Sequence, residues 1–210
     1  MPDSISTPAI HRVLLIDDNE AIHGDFRKVL GKTEDSGRSA LALLEAKVHV
    51  SSAHGDRVIA FAEFHRLPGD TPQRDANLDA GEIITAVELP PKGFATNYTY
   101  LKIRDRLSYA FALVSVAVGL ELDGDTIKDG RFALGGVAHK PWRDPQAEAA
   151  LRGQPANAAT FAYAADVLLR DAKGYAHNTF KIDLARRCIS RALMQAARGT
   201  PQSQSSKKIA

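Results

Sequence analysis

Residues 100–143 read YLKIRDRLSYAFALVSVAVGLELDGDTIKDGRFALGGVAHKPWR, and this stretch decides the fold. Its centre, FALVSVAVGLEL at 111–122, is apolar and rich in Val, a composition that suits a strand better than a helix. Asp123, Gly124 and Asp125 interrupt the run, and Gly accepts the positive φ that a short connection demands. Residues 126–137 supply the returning strand, so an antiparallel hairpin is predicted. Upstream, Lys102, Arg104 and Arg106 alternate, as they would on one face of a third strand. Downstream the apolar period becomes helical. Asp144 before Pro145 starts a short helix that Gly153 stops. Residues 157–172, with Phe161, Ala165 and Leu168, and residues 182–197, with Leu184, Cys188, Ile189 and Leu193, read as two amphipathic helices. The expected fold class is α+β, a three-stranded antiparallel sheet with a carboxy-terminal helical bundle, preceded by an incomplete strand-helix segment.

Composition bounds the function. A chain of 210 residues, 44% hydrophobic and 25% charged, can bury a real core and suits one or two modest domains. The 27 Lys and Arg nearly balance the 25 Asp and Glu, leaving a formal charge of +2, so neither a nucleic-acid nor an anionic-membrane partner is indicated. Cys188 stands alone, which excludes an internal disulfide and any Cys-built metal or iron-sulfur site. A reducing cytoplasm is the simplest expected compartment. No export signal or transmembrane segment is expected. The histidines, His65 and His139 among them, show no metal-ligand spacing and are expected in turns or at the surface. Cys188 is expected to pack rather than react, and Trp142, after Pro141, to anchor the helices.

Together with residues 61–90, FAEFHRLPGDTPQRDANLDAGEIITAVELP, the opening stretch resembles the carboxy-terminal part of the FAD-binding subunit of molybdenum hydroxylases, the xanthine dehydrogenase and aldehyde oxidoreductase family. The phrases FHRLPGDTP and GEIITAVELP are similar to those of bacterial three-subunit aldehyde oxidoreductases, and the resemblance runs over about residues 40–199. It implies a remnant of the FAD-binding domain at 39–96 and a domain like the CO dehydrogenase flavoprotein C-terminal domain at 97–199. A front segment, 1–38, and a disordered tail, 200–210, would complete the chain. The implied function is a share in electron transfer to FAD, beside a large molybdopterin-binding subunit and a small 2Fe-2S subunit. No residue here would be catalytic.

The resemblance also marks two cofactor-binding candidates. Ile84 falls where relatives pack an aliphatic side chain against the isoalloxazine ring; an inward-facing strand residue is the alternative. Lys102 falls where relatives place a lysine near that ring, and a cation there tunes the cofactor's electronics; a solvated strand lysine is the alternative. Arg104 and Arg106 would face solvent or a partner subunit. The Gly-rich loops that bind the FAD pyrophosphate in the family have no counterpart in this sequence. Gly135-Gly136 reads as a bend, not a phosphate cradle.

The front has another character. Residues 11–31 read HRVLLIDDNEAIHGDFRKVLG: a short apolar run, a turn at Asp17-Asp18-Asn19, then Ile22, Phe26, Val29 and Leu30 at helical spacing. Residues 11–35 resemble the start of a response-regulator receiver domain, truncated. By position Asp17 and Asp18 would be its Mg²⁺-holding pair; an acidic turn capping a helix is the alternative. The acceptor Asp of that chemistry is not recognisable, since Asp56 lies in a polar Gly turn. A receiver-like signalling module or a non-functional fusion are therefore the competing functional readings.

Overall fold

The computed structural model describes residues 45–88, 94, 96–106 and 109–199. The receiver-like reading of residues 11–35, with Asp17 and Asp18, and the expected tail at 200–210 lie outside them. The described chain builds two antiparallel sheets of three strands each, where the sequence predicted one.

The first sheet comprises β1 (Lys47–Ser52), β2 (Gly55–Ala60) and β3 (Ile83–Glu88) in the order β2-β1-β3, with the short helix α1 (Phe61–Phe64) following β2. Val48 and Val50 alternate with His49 and Ser51, so one face of β1 is apolar and the other polar. Val48 pairs with Ile59 on one side and Val87 on the other, and these residues face the same way. Val48, Val50 and Ile59 are buried there against Phe61, Phe64 and Leu78. Asp56 pairs with Ser51 beside the hairpin turn and is exposed, as its polar Gly context predicts.

The second sheet orders β4 (Asn97–Ile103), β5 (Val114–Asp123) and β6 (Thr126–Gly135) as β4-β5-β6. The predicted hairpin is present: Asp123 pairs with Thr126 across a two-residue turn whose first residue, Gly124, has φ +57°. The strand limits differ from expectation. β5 begins at Val114, leaving Phe111 99% exposed, and β4 ends at Ile103, so Arg104 and Arg106 sit beyond the strand. The physical reason is pairing: Ile103 opposite Val114 is the last rung, and the residues between them form the connection.

Three helices cover one face of this sheet: α2 (Pro145–Ala149), α3 (Ala158–Leu169) and α4 (Phe180–Ala197). Asp144 caps α2 by accepting from the Gln146 amide at 2.8 Å, and Asn157 caps α3 through the Thr160 amide at 3.0 Å. Along α4 the buried residues are Ala185, Cys188, Ile189, Ala192, Leu193 and Ala196, a stripe at helical spacing whose alanines let the helix settle close to the strands. Val114, Val116, Val118, Phe132 and Leu134 supply the facing layer, each 1% exposed or less. Asn97 fastens the edge strand to this helix, donating to the Ala196 carbonyl at 2.8 Å and so satisfying a carbonyl in its last turn. Trp142 packs against the same core and exchanges backbone hydrogen bonds with Leu134, the anchoring role expected of it.

Candidate functional site

The opposite face of the second sheet is built differently. Along β5, Ser115, Ala117 and Gly119 alternate with the inward Val116, Val118 and Leu120; on β6, Gly135, Ala133 and Arg131 lie opposite them. Tyr98, Tyr100 and Lys102 line the β4 side of the same face, paired with Gly119, Ala117 and Ser115. The result is a platform of small side chains edged by two tyrosines and a lysine. Phe94 occupies one end of it, lying on Gly119 in the space a Cβ would fill, with the Arg131 guanidinium 5.8 Å from its ring centre. Lys102 stands at the other end.

Lys102 is thus a partly buried residue on a sheet face, not a freely solvated one. The loop after it carries Tyr109, 86% exposed with φ +51°, and Phe111. Arg106 turns back into this loop and donates to the Tyr109 carbonyl. Ile84 stands on the first sheet, opposite Val50 and sharing its face, yet it is half exposed, and its neighbour Ile83 is 65% exposed on the other face. A plain inward strand residue does not describe Ile84. The two candidates therefore lie on different sheets, each with access to solvent.

Gly135 and Gly136 serve packing. A Cβ on Gly135 would stand 2.6 Å from the Ser115 hydroxyl oxygen, and Gly136, at φ +75°, comes against the Ala112 carbonyl with no room for a side chain. They close the loop that leads into β5 and leave no space between them for a phosphate. The small-residue platform ending at Lys102 offers a face that a flat group could approach; a pyrophosphate cradle is not found among the described residues. Neither is a group of His, Cys, Asp or Glu able to hold a metal ion, and no described helix is long and apolar enough to cross a membrane.

The charged groups of the two sheets are committed to structure. Arg57 clasps Glu82 with both ends of its fork, Nε–Oε1 at 2.5 Å and Nη2–Oε2 at 2.7 Å. The Arg57 hydrogen bond, with help from the Asp79 amide, pulls the Glu82 carboxyl from the ordinary 4.5 to about 2. Glu88 is lowered by hydrogen bonds from His49 and Lys47. Burial opposes the charge on Arg143, but its bonds to Glu148 outweigh that and raise its pKa. Cys188 is buried and its thiol is pushed up to about 11 by desolvation, which suits packing and removes it as a nucleophile at neutral pH. His65 corrects the surface expectation: its ring meets Phe61 and Phe64 edge-on, both at 5.1 Å between centres, and burial followed by the charge of Lys140 lowers its pKa.

The platform escaped sequence reasoning although its signal was present. VSVAVGL alternates large and small with period two, and reading it as one continuous apolar run hid the second face. Tyr98, Tyr100 and Lys102 alternate in step with it.

Comparison with known proteins finds relatives for both sheets. Residues 36–92 match the family described as the FAD binding domain in molybdopterin dehydrogenase, and residues 98–196 match the CO dehydrogenase flavoprotein C-terminal domain. The aldehyde oxidoreductase FAD-binding subunit PaoB of Escherichia coli is 46% identical over 158 residues, covering 75% of this chain and 46% of that protein. The glyceraldehyde dehydrogenase medium chain of Sulfolobus acidocaldarius is 36% identical over 118 residues, 56% of this chain and 39% of its own length. In fold, the chain is similar to a chain of quinoline 2-oxidoreductase from Pseudomonas putida, with a TM-score of 0.66 at 24% identity over 79% of this chain and 56% of that one. The chain spans less than half the length of the two curated relatives. It carries the carboxy-terminal part of an FAD-binding subunit of the molybdenum hydroxylase family.

Proposed function

We propose that this chain supplies the ring-side half of an FAD site in a multi-subunit molybdenum-containing oxidoreductase of the aldehyde oxidoreductase or xanthine dehydrogenase type. The observation that carries the reading is the position of Lys102, at the end of the small-residue face of β5 and β6, within the stretch that matches the CO dehydrogenase flavoprotein C-terminal domain. FAD, when bound, takes up and gives up electrons at its isoalloxazine ring. Lys102 would hold a positive charge beside that ring and favour the form that gains electrons. Ser115, Ala117 and Ala133 would let a flat group approach the strands, and Ile84 would offer an aliphatic contact from the first sheet. Hydroxylation of the substrate belongs to another chain. The partners in this reading are a molybdopterin-binding large subunit and a 2Fe-2S small subunit, meeting this chain in the cytoplasm unless a partner carries it elsewhere.

The test is direct. The purified chain is incubated with FAD, freed of unbound cofactor and examined by visible absorption, alone and after mixing with the large and small subunits. Flavin retained in the mixture and reduced when substrate is added supports the reading. Lys102→Met is then expected to lower the midpoint potential of the bound flavin, because a cation that favours the electron-rich form has been removed. Absence of flavin absorption in both samples would overturn it.

A further inference from the structure

Among the described residues the two sheets share no strand pairing, and their apolar clusters are separate: Val48, Val50 and Ile59 in the first, the large cluster under α3 and α4 and the small one around Ala117 and Ala133 in the second. Without a shared core, the angle between them is set by whatever polar contacts cross the junction. Among the described residues that junction centres on Glu45. One oxygen of its carboxylate meets the Arg131 guanidinium, and the other meets Arg143 Nη2 at 3.3 Å.

Both ends of this contact are held. On the first sheet, Glu45 immediately precedes Ala46, which is 1% exposed and whose carbonyl accepts from the Phe61 amide at 2.8 Å, so the residue is fixed at the root of β1. On the second, Arg143 is gripped by Glu148 through Nε at 2.6 Å and Nη2 at 2.9 Å, and Glu148 is itself buried and accepts from the Phe132 amide at 3.3 Å. Arg131 lies over the Phe94 ring and is 3.8 Å from Asp129. A carboxylate between two arginines that cannot swing away is a pin, not an incidental surface pair. A further bond across the junction, Lys140 Nζ to the Ala62 carbonyl, is long at 3.5 Å.

We propose that Glu45 is a positioning residue whose carboxylate, straddling Arg131 and Arg143, fixes the orientation of the sheet bearing Ile84 against the sheet bearing Lys102. On the flavin reading above, on which the functional half of this inference rests, it sets the width of the gap in which the ring is held. Glu45 touches neither ring nor substrate. Its effect passes through the sheet angle.

The experiment has two arms. In the first, backbone residual dipolar couplings are measured on the full chain and on Glu45→Ala, with alignment tensors fitted separately to residues 47–88 and 97–197. The two units of the parent are expected to share one tensor, and those of Glu45→Ala to diverge, while the melting transition of the helical half stays in place. Arg131→Ala, which leaves the Arg143 contact in place, should give a smaller divergence, and the double variant no more than Glu45→Ala, since the Arg131 contact is already lost with the carboxylate. A common tensor retained in Glu45→Ala overturns the proposal, whatever the chain does with FAD. In the second arm, FAD affinity in the assembled complex is expected to fall about fivefold in Glu45→Ala, a loss that two partly exposed ion pairs account for, and to return at least in part in Glu45→Asp, which keeps the charge between the arginines. An unchanged affinity with diverging tensors would remove the functional half. A parent that binds no flavin would remove the FAD reading and leave the positioning role standing on the first arm.

Discussion

The two sheets are of equal strand number and unequal independence. The second is closed on one face by three helices and buries Phe132, Phe161, Leu151, Leu168, Ile189 and Leu193 completely or nearly so. The first rests on Val48, Val50 and Ile59 and leaves Val58, Ile83 and Ile84 at least half exposed. Three small buried side chains contribute only a few kcal/mol against the ordering entropy of roughly forty residues. The difference teaches that the carboxy-terminal half holds itself together, whereas the front sheet depends on its polar ties, the Arg57–Glu82 clasp within it and Glu45 at its junction. Its exposed isoleucines are surface that a folded subunit would have reason to cover.

The contrast is broken most severely in the core. Phe132→Ala is expected to lower the unfolding free energy by about 3–5 kcal/mol, since the ring is fully buried in the core that the sheet shares with its helices. Chemical denaturation followed by circular dichroism would measure it as a loss across the whole chain. If the front sheet instead survived that loss, its dependence on the second half would be disproved. Glu148→Gln comes next, at about 2 kcal/mol, because it removes the carboxylate that holds the partly buried Arg143 through two of its nitrogens. Hydrogen exchange should then show β1 to β3 opening more readily than β4, β5 and α4; equal protection of the two sheets would remove the distinction.

These inequalities were legible in the sequence to different degrees. The hairpin at Gly124, the helix start at Asp144 and the packed Cys188 all follow from local chemistry, because a turn, a helix start and a helical stripe are decided by residues close together in the chain. The family phrases at 61–90 and 100–143 led to the same fold and to the FAD-binding subunit. β2 was not read, since GDRVIA holds only three apolar residues, and its pairing with β1 is what makes it a strand. Arg104 and Arg106 continue the alternation of Lys102, but alternation does not reveal where the partner strand ends. The distance in space between Ile84 and Lys102 was beyond any local pattern: it rests on a junction formed by Glu45 with residues 86 and 98 positions away.

The front sheet can be loosened selectively by acid. The folded-state carboxyl of Glu82 titrates near 2 instead of 4.5, so its clasp with Arg57 contributes stability that is fully present above about pH 4.5 and is lost as the pH falls through the window down to about 2. Glu82→Gln is therefore expected to weaken protection of β2 and β3 at neutral pH and to converge with the parent as the pH drops towards 2. A difference between them that stayed constant from pH 7 to pH 2 would show that the clasp carries no charge-dependent stability.

The smallest expected effect is the most informative about function. Ile84 is half exposed on a strand at the rim of its sheet, so Ile84→Ser removes little buried area, and the stability of the isolated chain should move by no more than about 0.5 kcal/mol. Core positions on the same face behave otherwise: Val50, its direct partner, is 1% exposed, and Val50→Ala should cost about 2 kcal/mol of local stability. A residue that is nearly silent for folding but whose loss weakens FAD retention in the assembled complex is there for the ligand. If Ile84→Ser instead destabilised the sheet as much as Val50→Ala does, Ile84 would belong to the framework, and the ring contacts proposed for this chain would all lie on the second sheet, with Lys102 and the small-residue face.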